Sequence, residues 1–250
     1  MSGKPDYSLR SLERALNILS FFAEKKTGLT LTEVSQKLEV NMSTTFRILS
    51  TLEKHGFIQK NEHGHKYFLG ISVAKLCSEF MTAYPFKDIA LPFMEQLQKE
   101  YHETVALYAI KSVKHNERVC IARVESDYSL RRVVNVGDSM PLTRSAAGNV
   151  LMAYLPEKDQ RHLLSLEPLL SMEDLANIKQ SGYAISDSSR EIGIAGIAAP
   201  IFDASDHVAA SLAITGPNTR LIFPHNDKIV TSIKETAHEI TKAIDKYTPD

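Results

Sequence analysis

The sequence predicts an α+β chain in two parts. Residues 8–55 hold apolar side chains at helical spacing in three short runs. Residues 56–70 hold two β-prone runs on either side of Asn61-Glu62-His63-Gly64, which has the composition of a hairpin turn. From residue 85 onward helical and β-prone runs mix, and Asp203 to His207 reads as the turn of a second hairpin. The first part is therefore helices followed by a small hairpin. The second is an antiparallel sheet flanked by helices.

The 250 residues suffice for two domains with real cores. With 43% hydrophobic and 24% charged residues, the composition is that of an ordinary globular protein. No apolar run approaches the ~20 residues a membrane crossing needs. The start, MSGKPDYSLR, lacks the apolar segment of a signal peptide, so a cytoplasmic protein without membrane association is expected. Cys77 and Cys120 stand far apart and form no Cys-x-x-Cys pair, which argues against a disulfide framework or a Cys-rich zinc site. Both are expected to be small buried hydrophobes. Residues 1–70 carry 10 Lys+Arg against 7 Asp+Glu, and the remainder carries 19 against 23. A mildly basic head on an acidic body fits nucleic-acid binding by the head.

In order, Leu12, Ala15, Leu16, Leu19 and Phe22 make an apolar stripe on a first helix, about Ser8 to Ala23. Glu24 to Leu29 is a polar break. Thr30 and Glu33 fit a capping box opening a second helix, on which Val34 and Leu38 share a face. Glu39-Val40-Asn41 ends that helix, and Asn41 is a favoured N-cap for a third. On the third, Thr45, Ile48, Leu49 and Leu52 should face inward. Ser43, Thr44, Arg47, Ser50 and Thr51 are then left outside, short or basic and tipped with hydrogen-bonding groups. Such a face suits a DNA major groove, although a plain helical hairpin with a wet polar face would read the same way. Gly56 to Lys60 and His65 to Gly70 form the hairpin. Three helices and a two-stranded hairpin make a winged helix-turn-helix. Its wing, with Lys60, His63, His65 and Lys66, could reach phosphates, which position a protein without specifying sequence.

Ile71 to Tyr84 contains no Gly or Pro and places Val73, Leu76, Phe80 and Met81 at helical spacing, so a linker helix is expected. Asp88 to Tyr101 is a further amphipathic helix. Strands are expected at Thr104–Ile110, Arg118–Val124, Ser129–Val136, Tyr183–Ser186, Ile197–Phe202 and Val208–Ile214. Gly137 to Leu142 reads as a loop. Helices are expected at Ser145–Leu155, from Pro156, at Ser171–Ser181 with Gly182 beyond its end, and at Asn226–Tyr247.

Several runs together resemble the IclR-type transcriptional regulators: Ser11 to Leu16, Leu29 to Leu31, Ser43 to Leu49, Gly56 to Ile58 and Tyr67 to Gly70 in the head. In the second part they are Gly137 with Pro141-Leu142, Ser145 to Gly148, Gly182-Tyr183, Gly193 to Ile201 and Ser211 to Pro217. The resemblance covers nearly the whole chain. It implies a DNA-binding head at 1–70, a linker helix at 71–84 and a GAF-like effector-binding domain at 85–250. It further implies a homodimer or homotetramer on double-stranded operator DNA, acting as a repressor controlled by a small organic acid. Ser43, Thr44 and Arg47 would then contact DNA. Ser145, Ala146, Ala147, Ser186, Gly196, Ala213 and Thr215 would line the effector site.

Physical chemistry adds to that site. A helix start rich in small residues offers free N–H groups and a favourable dipole to a carboxylate, and Arg144 beside it could grip one bidentately. The bland alternative is that Ala146 and Gly148 merely permit close helix–sheet packing and Arg144 is solvated. Thr143 and Asn149 stand where the family pattern more often has His and Lys, which makes the site less basic. Much of the expected lining is apolar, favouring an aromatic or apolar carboxylate over a very small diacid. The nine histidines show no metal spacing, Gly193-x-x-Gly196 is no phosphate loop, and no cofactor is called for. A rival reading, an enzyme acting on a small carboxylate with an attached regulatory head, lacks a nucleophile–base or metal constellation.

Overall fold

The expected capping box forms. Thr30 Oγ1 accepts from the Glu33 N–H at 3.2 Å, and the Glu33 carboxylate accepts from the Thr30 N–H at 2.8 Å. It belongs to a computed structural model that describes residues 9–24, 27–61, 65–82, 86–222 and 226–247. The chain divides into two units at residue 83.

The first unit runs α1 (Arg10–Glu24), β1 (Leu29–Thr30), α2 (Leu31–Leu38), α3 (Met42–Lys54), β2 (Ile58–Lys60), β3 (Lys66–Leu69) and α4 (Ile71–Thr82). α2 ends on Glu39 in the left-handed region, and Ser35 Oγ donates to Val40 O at 2.6 Å, fixing the turn. Asn41 Oδ1 then caps α3 by accepting from the Thr44 N–H at 2.8 Å. Ile18, Phe22, Leu29, Val34, Leu49, Leu52, Ile58 and Tyr67 form the core. The stripe expected on α1 is corrected here. Ile18 is buried while Leu12 and Leu16 are exposed. The helix turns Ala15, Ile18, Leu19 and Phe22 inward and leaves Leu9, Leu12 and Leu16 as a second apolar face.

β3 pairs with both β2 and β1, giving a three-stranded sheet. The reading of Glu24 to Leu29 as a plain break missed the short strand, which follows Gly28 in the left-handed region. The turn Glu62-His63-Gly64 lies outside the described residues. Gly70 seats the start of α4 against the head: a Cβ there would lie 2.9 Å from the Gly56 carbonyl carbon. Ser72 N donates to Gly56 O at 3.0 Å and Ser72 Oγ to His55 O at 2.8 Å, continuing that seam. Cys77, on α4, is exposed and not a buried hydrophobe.

The second unit runs α5 (Phe86–Tyr101), β4 (Thr104–Ser112), β5 (Glu117–Val124), β6 (Ser139–Pro141), α6 (Ala146–Ala153), α7 (Glu157–Leu166) and α8 (Met172–Ser181). It continues with β7 (Ala184–Asp187), β8 (Ile194–Phe202), β9 (Val208–Pro217), α9 (Asn218–Leu221) and α10 (Asn226–Tyr247). The sheet order is β6-β5-β4-β9-β8-β7, antiparallel throughout. Met94 and Leu97 of α5 and Ile229, Ile233 and Ile240 of α10 pack on one face against Leu107, Ile121, Ile197 and Leu212. On the other face α6, α7 and α8 bury Val150, Leu151, Leu163 and Leu175 against Ala106, Cys120 and Ala198. Each large apolar side chain fully buried this way contributes roughly 1.5–3 kcal/mol.

Residues 129–136 are not the expected strand, and the short strand beside β5 is Ser139–Pro141. Side chains take up the backbone carbonyls that a ladder would have used. Thr104 Oγ1 donates to Arg132 O, an Arg123 guanidinium N–H to Val134 O, and Arg220 Nη2 to Leu130 O. β8 and β9 extend beyond the expected ends, to Ile194 and Pro217.

Candidate DNA face and effector cavity

On α3, Thr45, Leu49 and Leu52 are buried, so the opposite face is fixed by helical geometry. Ser43, Arg47 and Ser50 lie near its centre. Thr44 and Thr51 stand to one side, where with Arg47 they border a groove against Leu12, Arg14 and Ala15 of α1. Thr51 Oγ1 donates to Arg47 O at 2.9 Å, so its hydroxyl offers a ligand only an acceptor. The sequence reading passed over Phe46, which is exposed on the other flank. An aromatic ring there is a surface for a thymine methyl. Lys60 and Lys66 are both exposed on the wing strands. Lys60 Nζ sits 5.8 Å from the Tyr67 ring centroid, and Lys66 Nζ lies 3.4 Å from Thr27 O.

In the second unit a small cavity, about 40 Å³ in volume and open to solvent at its mouth, lies over the sheet at the start of α6. Ser145, Ala146 and Ala147 supply its helical wall. Ser186, Gly196 and Thr215 form a row across β7, β8 and β9, each paired with the next, and Ala213 lies beyond Thr215 on β9. A Cβ on Gly196 would lie 3.2 Å from Thr215 Cγ2 and 3.4 Å from Ser186 Oγ, filling the middle of that row. Ser186 Oγ accepts from the Ala146 N–H at 3.0 Å, leaving its own hydrogen free to donate. Ser145 does not cap the helix and sits at φ 102. The N–H groups of Ala147 and Gly148 are among those a helix start leaves unbonded.

Arg144 does not line this cavity. Its side chain is taken up by the Glu167 carboxylate, with Nη2 to Oε1 at 2.9 Å and Nε to Oε2 at 3.1 Å. That pairing holds the Glu167 carboxyl below its usual range, with Thr143 assisting. Three other cationic side chains that the sequence reading missed do line it, Arg118, Arg132 and Arg190. Arg118, on β5, is 2% exposed. Its guanidinium donates to Pro141 O, to Arg144 O at 3.1 Å and to Ser145 Oγ at 2.8 Å, and lies 5.2 Å from the Tyr108 ring centroid. Its Nε has no partner. Burial pulls its pKa down to about 10, and burial pushes the neighbouring Tyr108 phenol up to about 12. Gly148 is glycine for packing: a Cβ would meet the Leu142 carbonyl carbon at 2.7 Å and Arg118 Nη1 at 3.0 Å. Among the described residues no cluster of His, Cys, Asp and Glu could hold a metal ion. No helix there is long and apolar enough to cross a membrane.

Two family models cover this architecture. The IclR helix-turn-helix domain matches residues 11–62, and the bacterial transcriptional regulator IclR C-terminal domain matches residues 79–242. The chain belongs to the IclR family. IclR-family proteins are DNA-binding transcriptional regulators, and the head described above is their helix-turn-helix domain. Among IclR relatives, the transcriptional repressor IclR of Escherichia coli is 29% identical, covering 94% of this chain and 90% of its own. The acetate operon repressor of Salmonella typhimurium is 27% identical over the same shares. The crystal structure of Thermotoga maritima IclR superposes with a TM-score of 0.75 at 25% identity, covering 95% of this chain and all of that one. An IclR homologue from Microbacterium hydrocarbonoxydans, complexed with 4-hydroxybenzoate, has the same fold, with a TM-score of 0.78 at 22% identity over 94% and 99% of the two chains.

Proposed function

We propose that this IclR-family regulator is a repressor whose C-terminal domain is the receptor for a small organic acid, which it binds without turnover. The observation that carries the reading is Arg118, a buried guanidinium with no carboxylate partner at the foot of a cavity. An unpaired buried cation is costly, and an anion docking between it and the start of α6 would offset that cost. Relatives that are repressors, and a fold neighbour complexed with an aromatic acid, support the class.

The head would read an operator through Ser43, Thr44, Arg47, Ser50 and Thr51, with Lys60 and Lys66 on flanking phosphates. It would do so in the cytoplasm, as a homodimer or homotetramer. Support for assembly comes from apolar side chains left exposed on the first unit, Leu9 just before α1, Leu12 and Leu16 on α1, and Ile71 and Leu76 on α4. Ligand binding regulates DNA binding if it favours one arrangement of the paired heads over another.

The test is fluorescence anisotropy with duplex DNA from upstream of the protein's own gene, across a salt series. The expected result is salt-sensitive binding that weakens by about 10- to 100-fold in Arg47→Ala, with acid binding unchanged. Absence of specific binding upstream of the gene would sink the operator reading. Undiminished affinity in the variant would remove Arg47 from the reading face.

A further inference from the structure

The cavity is lined by three arginines, Arg118, Arg132 and Arg190, and by no Asp or Glu. Arg118 takes no carboxylate. Its Nη groups are spent on two carbonyls and the Ser145 hydroxyl, and its buried Nε is unpartnered. Arg132 has one ion pair, to Glu191 at 2.9 Å, and the Glu191 side chain is half exposed. Arg190 forms no ion pair among the described residues and is exposed on the loop that follows β7. The protein therefore sets three positive charges on one cavity and answers them with a single rim carboxylate. A surplus of two remains.

A monoanion would answer one of those charges and leave the other without a counter-charge at the cavity mouth. A second anionic group on the ligand would meet it, and would compete with Glu191 for Arg132 in partly screened surroundings, where an existing ion pair is weak. Tyr108, whose hydroxyl makes no hydrogen bond among the described residues, and Ser186 add two neutral hydroxyls to the same wall.

We propose that the effector is a small organic dicarboxylate. One carboxylate sits against the start of α6 and Arg118, and the other lies between Arg132 and Arg190. This rests on reading the cavity as the effector site. It also departs from the preference for an aromatic or apolar carboxylate over a very small diacid that the lining residues alone suggested in the sequence.

Isothermal titration calorimetry on the full chain near neutral pH tests it with matched pairs: succinate, glutarate, adipate and terephthalate, each against its monomethyl ester. 4-Hydroxybenzoate serves as the monoanionic aromatic. At least one diacid should bind about tenfold or more tightly than its ester, the value of one charge-assisted contact. In Arg132→Gln and Arg190→Gln that ratio should collapse toward one. Ligand-free melting of both variants checks that they fold. Equal binding of diacid and ester overturns the dicarboxylate assignment and leaves the cavity reading intact, as does a ratio that survives both substitutions. If no acid of either kind binds, both fail together.

Discussion

Gly148→Ala adds one methyl group at the point where α6, the Leu142 carbonyl and the buried arginine meet. The new Cβ would stand 2.7 Å from the Leu142 carbonyl carbon, closer still to its oxygen, and 3.0 Å from Arg118 Nη1. Backbone cannot retreat as a flexible side-chain tip can, so either α6 lifts or the 142–145 loop shifts. Overpacking of this kind costs about 1–3 kcal/mol. Gly148 lies within a helix, so alanine recovers at most about 1 kcal/mol of helix propensity. The clash dominates, and a net loss of about 1–2 kcal/mol is expected. For a domain of this size that lowers the melting temperature by about 2–8 °C. Differential scanning calorimetry of the full chain reads the shift in the C-terminal transition, and acid affinity should fall with it because Arg118 is displaced. An equal or higher melting temperature would mean that helix propensity outweighs the contact, and would refute the argument that close approach fixes this residue.

Four further outcomes are expected. Asn41→Ala removes the cap on α3 and should destabilise the head by about 1 kcal/mol, read by thermal unfolding, with a parallel loss of DNA affinity. Ala147→Trp should fill the cavity beside Ser186, abolishing acid binding in calorimetry while DNA binding persists. Lys60→Ala and Lys66→Ala should each reduce the slope of log affinity against log salt by about one, measured by anisotropy. Burial pushes the Cys120 thiol up to about 12, from an ordinary value near 9. A folded pKa raised in this way stabilises below the unfolded value and is lost as pH rises through the folded one. Denaturant unfolding should therefore show stability declining from about pH 9, by about 1 kcal/mol per unit, with Cys120→Ala flattening the slope.

The head was legible because its signals are local. A capping box and an Asn cap are each written within a few residues, and the second and third helices followed from them. What misled was the rotation of α1. Leu12 and Leu16 read as core because periodicity counts apolar residues without knowing which of two faces meets α2 and α3. In the second unit β4, β5, β7, β8 and β9 were legible, whereas the three-residue strand β6 fell in a stretch that read as a loop. Residues 129–136 were misread because side chains of Thr104, Arg123 and Arg220, distant in sequence, satisfy that backbone. The small residues walling the cavity were found through the family resemblance. Its charges were not, because Arg118, Arg132 and Arg190 converge only when the sheet closes. Arg144 was chosen for adjacency to Ser145, and the carboxylate that claims it, Glu167, lies 23 residues away in sequence.

The strand order carries a consequence for how the protein is made. The centre of the large sheet is the β4–β9 pair, and Thr104 meets Thr215 at a sequence separation of 111 residues. Closing so long a loop is slow, and during synthesis it cannot begin until β9 has left the ribosome. The head is complete in sequence by Gly70, and every contact in its core lies within those residues. A growing chain thus carries a finished helix-turn-helix while the rest of its sheet is still unpaired. Over that interval the apolar residues of β4 have no partner strand on one side, and the yield of folded protein depends on how quickly the last strand arrives.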